Sequence, residues 1–288
     1  MIHIDLDKVG LDPKDKIALQ ELLDSQDPNI SDDVEQMWYL LNKVWEEMGC
    51  DNKNLDWEKI GAYYAHPVWI LNGLFTQYDK LSFSIRESIA RYIADKCSKQ
   101  KNSCDEKYRI CDYGGGFGTL AGEIAKVCPN AQIDIYEPFP SVYGKKYIQN
   151  FANVKFVDTL ESGRYDCLVS TDVLEHVDDP MATFGEMLDS LKPGGEALIG
   201  NCFYPVIECH LPKNFHFRYT FDFLARFFGL KKLGNIKGAE YVQIFTKTTQ
   251  ASKILIGGGA ALSKLIYPFI LALEPLRPLA RYVKHKFK

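Results

Sequence analysis

From Asp33 the chain runs DVEQMWYLLNKVWEEMG, in which Met37, Leu40, Leu41, Val44 and Met48 recur three and four positions apart. That period places them on one face of a helix. Ser31 begins a start signal with acids in the first turn, and Gly49 stands where the helix should stop. A second helical pattern covers SFSIRESIARYIADKC, so residues 1 to about 100 read as a helical region without strand alternation. The polar, turn-rich stretch Lys101–Lys107 then marks a boundary, and the pattern changes to short apolar runs. Strands are predicted at Tyr108–Asp112, Gln132–Tyr136, Val154–Val157, Cys167–Ser170 and Glu196–Gly200, with helices near 119–127, 141–150 and 181–191 between them. This alternation predicts a doubly wound α/β domain, a parallel sheet covered on both faces. Lys231–Ile236 and Glu240–Thr246 look like a closing antiparallel pair turned at Lys237-Gly238. The expected organisation is a helical region over 1–104, an α/β domain over 105–249 and an apolar, basic tail over 250–288.

Composition changes this picture little. Hydrophobic residues make up 46% and charged residues 25%, too apolar for a disordered chain. Charge is more informative. The net charge is −4, yet residues 251–288 hold seven Lys or Arg against the single acid Glu274, which leaves about −10 on the rest. An acidic body argues against a nucleic-acid groove. Cys111, Cys167 and Cys202 fall in or beside strand-like runs and no CxxC pair occurs, so reduced thiols are expected. Met1 is followed by IHIDLDKVGLD rather than a basic and then apolar stretch, which predicts no signal peptide and a cytoplasmic chain.

Gly114, Gly116 and Gly118 lie directly after a predicted strand and directly before a predicted helix. Glycines there let the backbone run against a ligand while free amides at the helix start point toward it. Glu137 ends the next strand, 19 residues after Gly118, where a carboxylate can accept both ribose hydroxyls of an adenosine ligand. Asp158 follows the third strand and would face an adenine edge. Asp112 closes the first strand, where its carboxylate could hold the loop amides or meet the cationic side of a ligand.

Together these segments resemble the class I S-adenosylmethionine-dependent methyltransferases, in the small-molecule group called type 11 or type 12. The similarity rests on CDYGGGFG, Glu137, YDCLVSTDVLEHVDDP (165–180) and LKPGGEALIG (191–200), and covers about residues 108–246. The resemblance implies a Rossmann-like seven-stranded sheet with its last strand antiparallel, and S-adenosyl-L-methionine lying across the strand ends. It implies that Gly114, Gly116 and Gly118 line the methionine part of the cofactor, Glu137 the ribose and Asp158 the adenine. Asp172 and Val173 would stand beside the sulfonium and the acceptor. Thr171-Asp-Val-Leu-Glu-His departs from the Asn/Asp-Pro-Pro-aromatic motif of amide and adenine N-methyltransferases, which argues against that subclass.

Methyl transfer to a hydroxyl needs alignment and a base. Three histidines border the expected acceptor side: His216, the first choice as base, His176 and His210. Hydrogen-bonded structural histidines are the competing reading. His210 with Cys209 and Cys202 imitates a metal site but lacks a further paired ligand, so no metal is expected. The aromatics Tyr63, Tyr64 and Trp69, with His66, suggest a lid over the acceptor or plain packing of helices on the sheet. From Ile254 the tail is apolar for some 20 residues, interrupted by Lys264, Pro268 and three glycines, with basic residues following. It reads as a peripheral membrane segment at the inner face or as a helix packed on the domain or a partner. O-methylation of a small molecule, glycan or lipid-linked acceptor is the expected function. The rivals are an NAD(P)-dependent reductase, for which Tyr92/Lys96 and Tyr282/Lys286 have the right spacing but the wrong place, and a non-catalytic cofactor-binding scaffold.

Overall fold

The computed structural model describes residues 1–99 and 107–274. The N-terminal region is helical: α1 (Pro13–Asp24), α2 (Asp33–Glu47), α3 (Trp57–Tyr64), α4 (Pro67–Tyr78) and α5 (Lys80–Lys99). Alternation follows, through β1 (Arg109–Tyr113), α6 (Thr119–Val127), β2 (Gln132–Tyr136), α7 (Val142–Ile148), β3 (Val154–Val157), β4 (Tyr165–Thr171), α8 (Pro180–Asp189) and β5 (Leu191–Gly200). The chain continues with α9 (Phe217–Ala225), β6 (Leu230–Ile236), β7 (Ala239–Lys247) and α10 (Lys253–Leu273). The boundary expected in Lys101–Lys107 falls almost wholly outside the described residues, as does the tail beyond Glu274.

The seven strands form one sheet in the order β3-β2-β1-β4-β5-β7-β6. The pairs β1–β2, β1–β4, β2–β3 and β4–β5 are parallel, while β7 runs antiparallel to both β5 and β6. The order reverses at β1, next to β4, and ligands of open α/β sheets lie at the strand ends beside such a switch point. One face of the sheet packs α5 and α6 through Ile89, Ile93, Leu120, Ile124, Ile133 and Val169. The other packs α8 and α9 through Phe184, Met187, Phe221 and Leu224 against Leu168, Ala197 and Phe245. A third cluster ties α1, α2, α3 and α4 to the sheet domain, because Phe117, Tyr143 and Cys209 are packed among Leu19, Leu40, Tyr63 and Leu71.

Local chemistry moves several boundaries by a residue or more. The helix expected to begin at Ser31 is capped by Asp32, whose carboxylate accepts from the amides of Val34 and Glu35 at 2.9 and 3.0 Å. The helix expected over 181–191 ends at Asp189, capped at Ser190, because Leu191 already pairs with Tyr165. Between that pair and Cys167–Glu196 the ladder is bulged, since Lys192-Pro-Gly-Gly supplies more residues than β4 can match, with Gly194 at φ +79°. Lys237-Gly238 does turn the final pair, with Gly238 at φ +86°.

Candidate active site

Gly114 and Gly118 both adopt left-handed backbone, φ +69° and +84°, as does Gly116 at +53°. A Cβ on Gly114 would lie 2.4 Å from Val173 Cγ2, so only glycine lets the loop after β1 press against the loop after β4. A Cβ on Gly116 would meet nothing within 4 Å, which marks the open side of the loop. Gly118 caps α6 without a side chain, leaving helix-start amides for a ligand.

Glu137 stands at the end of β2, beside this loop. Its carboxylate accepts from the Gly116 amide at 2.9 Å and the Phe139 amide at 3.0 Å, and burial raises its pKa despite those two bonds. Asp112 does not line the cleft. It is buried under the loop beside the Ala121 amide, with its Oδ2 lacking a hydrogen-bond partner, and lies where a Cβ on Gly115 would touch it at 2.8 Å. Burial pushes its carboxyl up to about 7, with the Glu137 charge adding to the effect. Of the two roles the sequence suggests for Asp112, holding the loop is the one its position matches. Asp158 is exposed at the end of β3 and likewise lies outside the cleft lining.

The cleft itself, about 1110 Å³, runs from the glycine loop and Glu137 past Thr171, Asp172 and Val173 to His176 and His210. Tyr64, His66 and Trp69 of the helical region roof it. Tyr64 stacks on Phe139 with ring centroids 5.7 Å apart and meets the His176 ring edge-on at 6.3 Å. Tyr63 belongs to the packing alternative instead. It is fully buried against Trp45, and its hydroxyl donates to the Leu41 carbonyl.

Asp172 is the one non-glycine residue with positive φ among those described, at +55°, and its carboxylate accepts from the Tyr241 hydroxyl at 3.2 Å. A strained acid at a strand end marks a position the surrounding structure holds deliberately. Glu175 is wholly buried. Its Oε1 accepts from the Cys202 amide at 2.7 Å, while Oε2 is buried without a hydrogen-bond partner. Burial, and then the Asp172 charge, push its carboxyl up to about 8. This residue was absent from the sequence-based candidates, and its only sequence signal is the acid directly before His176.

His176 Nδ1 lies 3.2 Å from the Cys209 carbonyl and His210 Nδ1 lies 2.6 Å from the Tyr204 carbonyl. A carbonyl only accepts, so each Nδ1 carries the hydrogen and each Nε2 presents a lone pair. The two rings meet edge to face at 4.7 Å. Burial, and for His176 also its neighbour His210, lowers both pKa values, that of His176 to about 3. Both imidazoles are therefore neutral at physiological pH. His216 does not join them. It lies under α10, with Nδ1 2.8 Å from Ser263 Oγ and its pKa lowered to about 4 by burial, outside the cleft lining. The expected first choice of base gives way because the tail helix covers that side of α9. Tyr92 and Lys96, the reductase-like pair, bind Glu196 of β5 at 2.8 and 2.6 Å, away from the cleft. Tyr282 and Lys286 lie outside the described residues.

Residues 85–225 match a family described as the methyltransferase domain. No curated protein matches the sequence. Among solved structures, a Methanococcus maripaludis protein described as an S-adenosyl-L-methionine-dependent methyltransferase is 19% identical, with 59% of this chain and 89% of that one covered and a TM-score of 0.42. The DszA carbon methyltransferase is 12% identical over 61% of this chain and 56% of its own, at a TM-score of 0.48. An O-methyltransferase family protein from Burkholderia thailandensis is 16% identical, with 75% and 71% covered and a TM-score of 0.45.

Proposed function

We propose that this chain, a class I S-adenosylmethionine-dependent methyltransferase, methylates a hydroxyl oxygen of a small-molecule acceptor, with a glycan or lipid-linked molecule as the favoured kind. The observation that carries the reading is the continuity of one cleft from the glycine loop to two neutral imidazoles with lone pairs free. A hydroxyl is a weak nucleophile that must be oriented and lose its proton in the transfer, and the Nε2 of an uncharged imidazole can accept the hydrogen bond that orients it.

The residues fit the cofactor, S-adenosyl-L-methionine. The loop is closed to a Cβ at Gly114 and open at Gly116, and an acid with a raised pKa stands beside it. Gly114, Gly116 and Gly118 would hold the methionine portion and Glu137 the ribose hydroxyls. Asp158, exposed and outside the cleft lining, is given no adenine role in this reading. Asp172 and Val173 would border the sulfonium. When bound, the cofactor supplies an electrophilic methyl group on sulfur. The chain's own residues align the acceptor oxygen with it: Tyr64 and Trp69 roof the cleft against water, and His176 and His210 accept the hydrogen bond that holds the hydroxyl. His216, under α10, has no part in this reading.

A second reading concerns location. α10 has mean hydropathy 1.7 over Ile254–Leu273 and leaves large apolar side chains exposed, Ile254 by 87% and Phe269 by 70%. With the basic residues that follow, this supports peripheral contact at the cytoplasmic membrane face, where a lipid-linked acceptor would be found. The chemistry is tested with S-adenosylmethionine carrying a labelled methyl and extracts of hydroxylated lipids and glycans. Label recovered as a methyl ether supports the proposal, and label on nitrogen or carbon overturns it.

A further inference from the structure

Two segments that are far apart in sequence converge at the acceptor end of the cleft. Glu175 and His176 come from the loop after β4, and His210 from the segment after β5. One ligand-capable atom from each lies within 4.8 Å of the others. Donor atoms about 2.0–2.2 Å from a shared divalent cation stand roughly 3–4 Å apart, so a small contraction would bring all three onto one ion. We infer that Glu175, His176 and His210 bind one borderline divalent cation of the Zn²⁺, Fe²⁺, Mn²⁺ or Co²⁺ kind, whose open positions face the cleft and take the acceptor oxygen.

Several features beyond proximity carry this. Each imidazole is fixed by a backbone carbonyl on Nδ1, leaving Nε2 to the site. Metal-binding histidines are oriented in this way by their second nitrogen. The supports interlock, because the carbonyl that holds His176 belongs to Cys209, the residue directly before His210. Glu175 is 0% exposed, anchored through one oxygen and unpaired at the other. A buried carboxylate oxygen without a partner is costly, and Asp172 adds a second carboxylate nearby. Among the described residues no lysine or arginine forms a salt bridge with either acid. A cation supplies the missing positive charge.

Two histidines and one carboxylate leave coordination positions free, as catalytic metal sites do. His176, His210 and Asp172 all line the cleft, so those positions open toward the acceptor. The ligand that the sequence reading found missing beside His210 therefore comes from the Asp-Val-Leu-Glu-His segment, while Cys202 and Cys209 serve through their backbones. The role of the ion rests on the O-methylation reading and the site itself does not; with the ion bound, both Nε2 lone pairs are engaged in coordination, and the cation holds the acceptor oxygen in place of the imidazoles. A hydroxyl bound to the cation releases its proton to solvent and keeps the electron pair. That oxygen forms the new O–C bond as the C–S bond breaks, its electrons remaining on sulfur to give S-adenosylhomocysteine.

A protonated Glu175 donating to one imidazole would satisfy the same atoms without an ion, and it predicts no cation binding. The full chain, stripped with EDTA, is titrated with Co²⁺ by visible absorption and with Zn²⁺ by calorimetry, with S-adenosylhomocysteine binding measured in parallel. One ion per chain is expected, bound at least about tenfold more weakly by His210→Ala and by His176→Ala. The exposed-residue control His3→Ala should bind as the parent does. Glu175→Gln should match the histidine variants; if it does not fold, those two still decide. Absence of a stoichiometric ion, or equal binding by folded His176 and His210 variants, overturns the site. Cation binding without S-adenosylhomocysteine binding would instead count against the methyltransferase reading and leave the site standing.

Discussion

Gly114 is where the backbone and a neighbour together forbid a side chain. Gly114→Ala must accept φ +69° and push Val173 aside, and the left-handed conformation alone costs about 1–2 kcal/mol. It should lower the melting temperature and S-adenosylmethionine affinity together, and Val173→Ala in the same chain should recover only part, because the clash is relieved while φ is not. A full recovery would show that contact alone matters. Glu137→Ala should weaken S-adenosylmethionine binding by about tenfold to a hundredfold, the scale of hydrogen bonds to a charged group, without unfolding the chain. Unchanged calorimetric affinity would remove Glu137 from the ribose. Asp112 makes a pH prediction. Its folded carboxyl sits near 7 against an ordinary 3.8, so its contribution to stability is fully present below 3.8 and lost as pH rises toward 7. Asp112→Asn, of the same shape but unable to ionise, should gain stability over the parent between pH 4 and 7 and level off above, as urea unfolding at pH 5 and pH 8 would show. The glycines and Glu137 were legible because strand, turn and helix within some 30 residues determine where they lie. Glu175 was not, since its meaning depends on burial and on His210, 35 positions away. His216 misled because nothing local says that a helix from the tail would cover it.

At the scale of elements, the legible parts were those defined by apolar runs with polar flanks. β2 and β3 match their expected ranges residue for residue, because each is a short apolar run closed by turn residues. β5 begins earlier than expected because its first half is a bulged Lys-Pro-Gly-Gly segment with no alternation to read. The tail shows why a pattern can support two readings at once. A Cβ on Gly259 would sit 2.5 Å from Leu224, and Ser263 is buried on His216, so one face of α10 packs closely on α9. The opposite face presents Ile254, Leu265 and Phe269 to solvent. Three glycines in an exposed helix cost up to about 1 kcal/mol each relative to alanine in water, so packing on α9 and an apolar surface must both stabilise it. Leu265→Glu with Phe269→Glu should cut sedimentation with anionic phospholipid vesicles several-fold while leaving S-adenosylhomocysteine binding intact. Equal sedimentation of variant and parent would end the membrane reading of this face.

Across the whole molecule, the helical region and the sheet domain share one interior. Phe117 lies in the glycine loop yet packs among the N-terminal helices, and a Cβ on Gly73 of α4 would lie 2.4 Å from its ring. Tyr143 of α7 donates its hydroxyl to Asp15 at 2.6 Å and accepts from the Asp12 amide at 3.0 Å. The cleft forms between these parts, with the glycine loop as one wall and Tyr64 and Trp69 as another. Loss of the helical region would therefore remove part of the site and expose Phe117. A chain so joined should unfold in a single calorimetric transition although its sequence reads as two segments of different period. S-adenosylhomocysteine at a hundred times its dissociation constant adds about 2.7 kcal/mol to the folded state, which should move that one transition upward by roughly 5 °C or more. Two transitions, with only the later one shifted by ligand, would mean that the helices fold apart from the sheet and roof the cleft only loosely. The lid and the packing readings of the N-terminal aromatics would then separate in favour of a mobile lid.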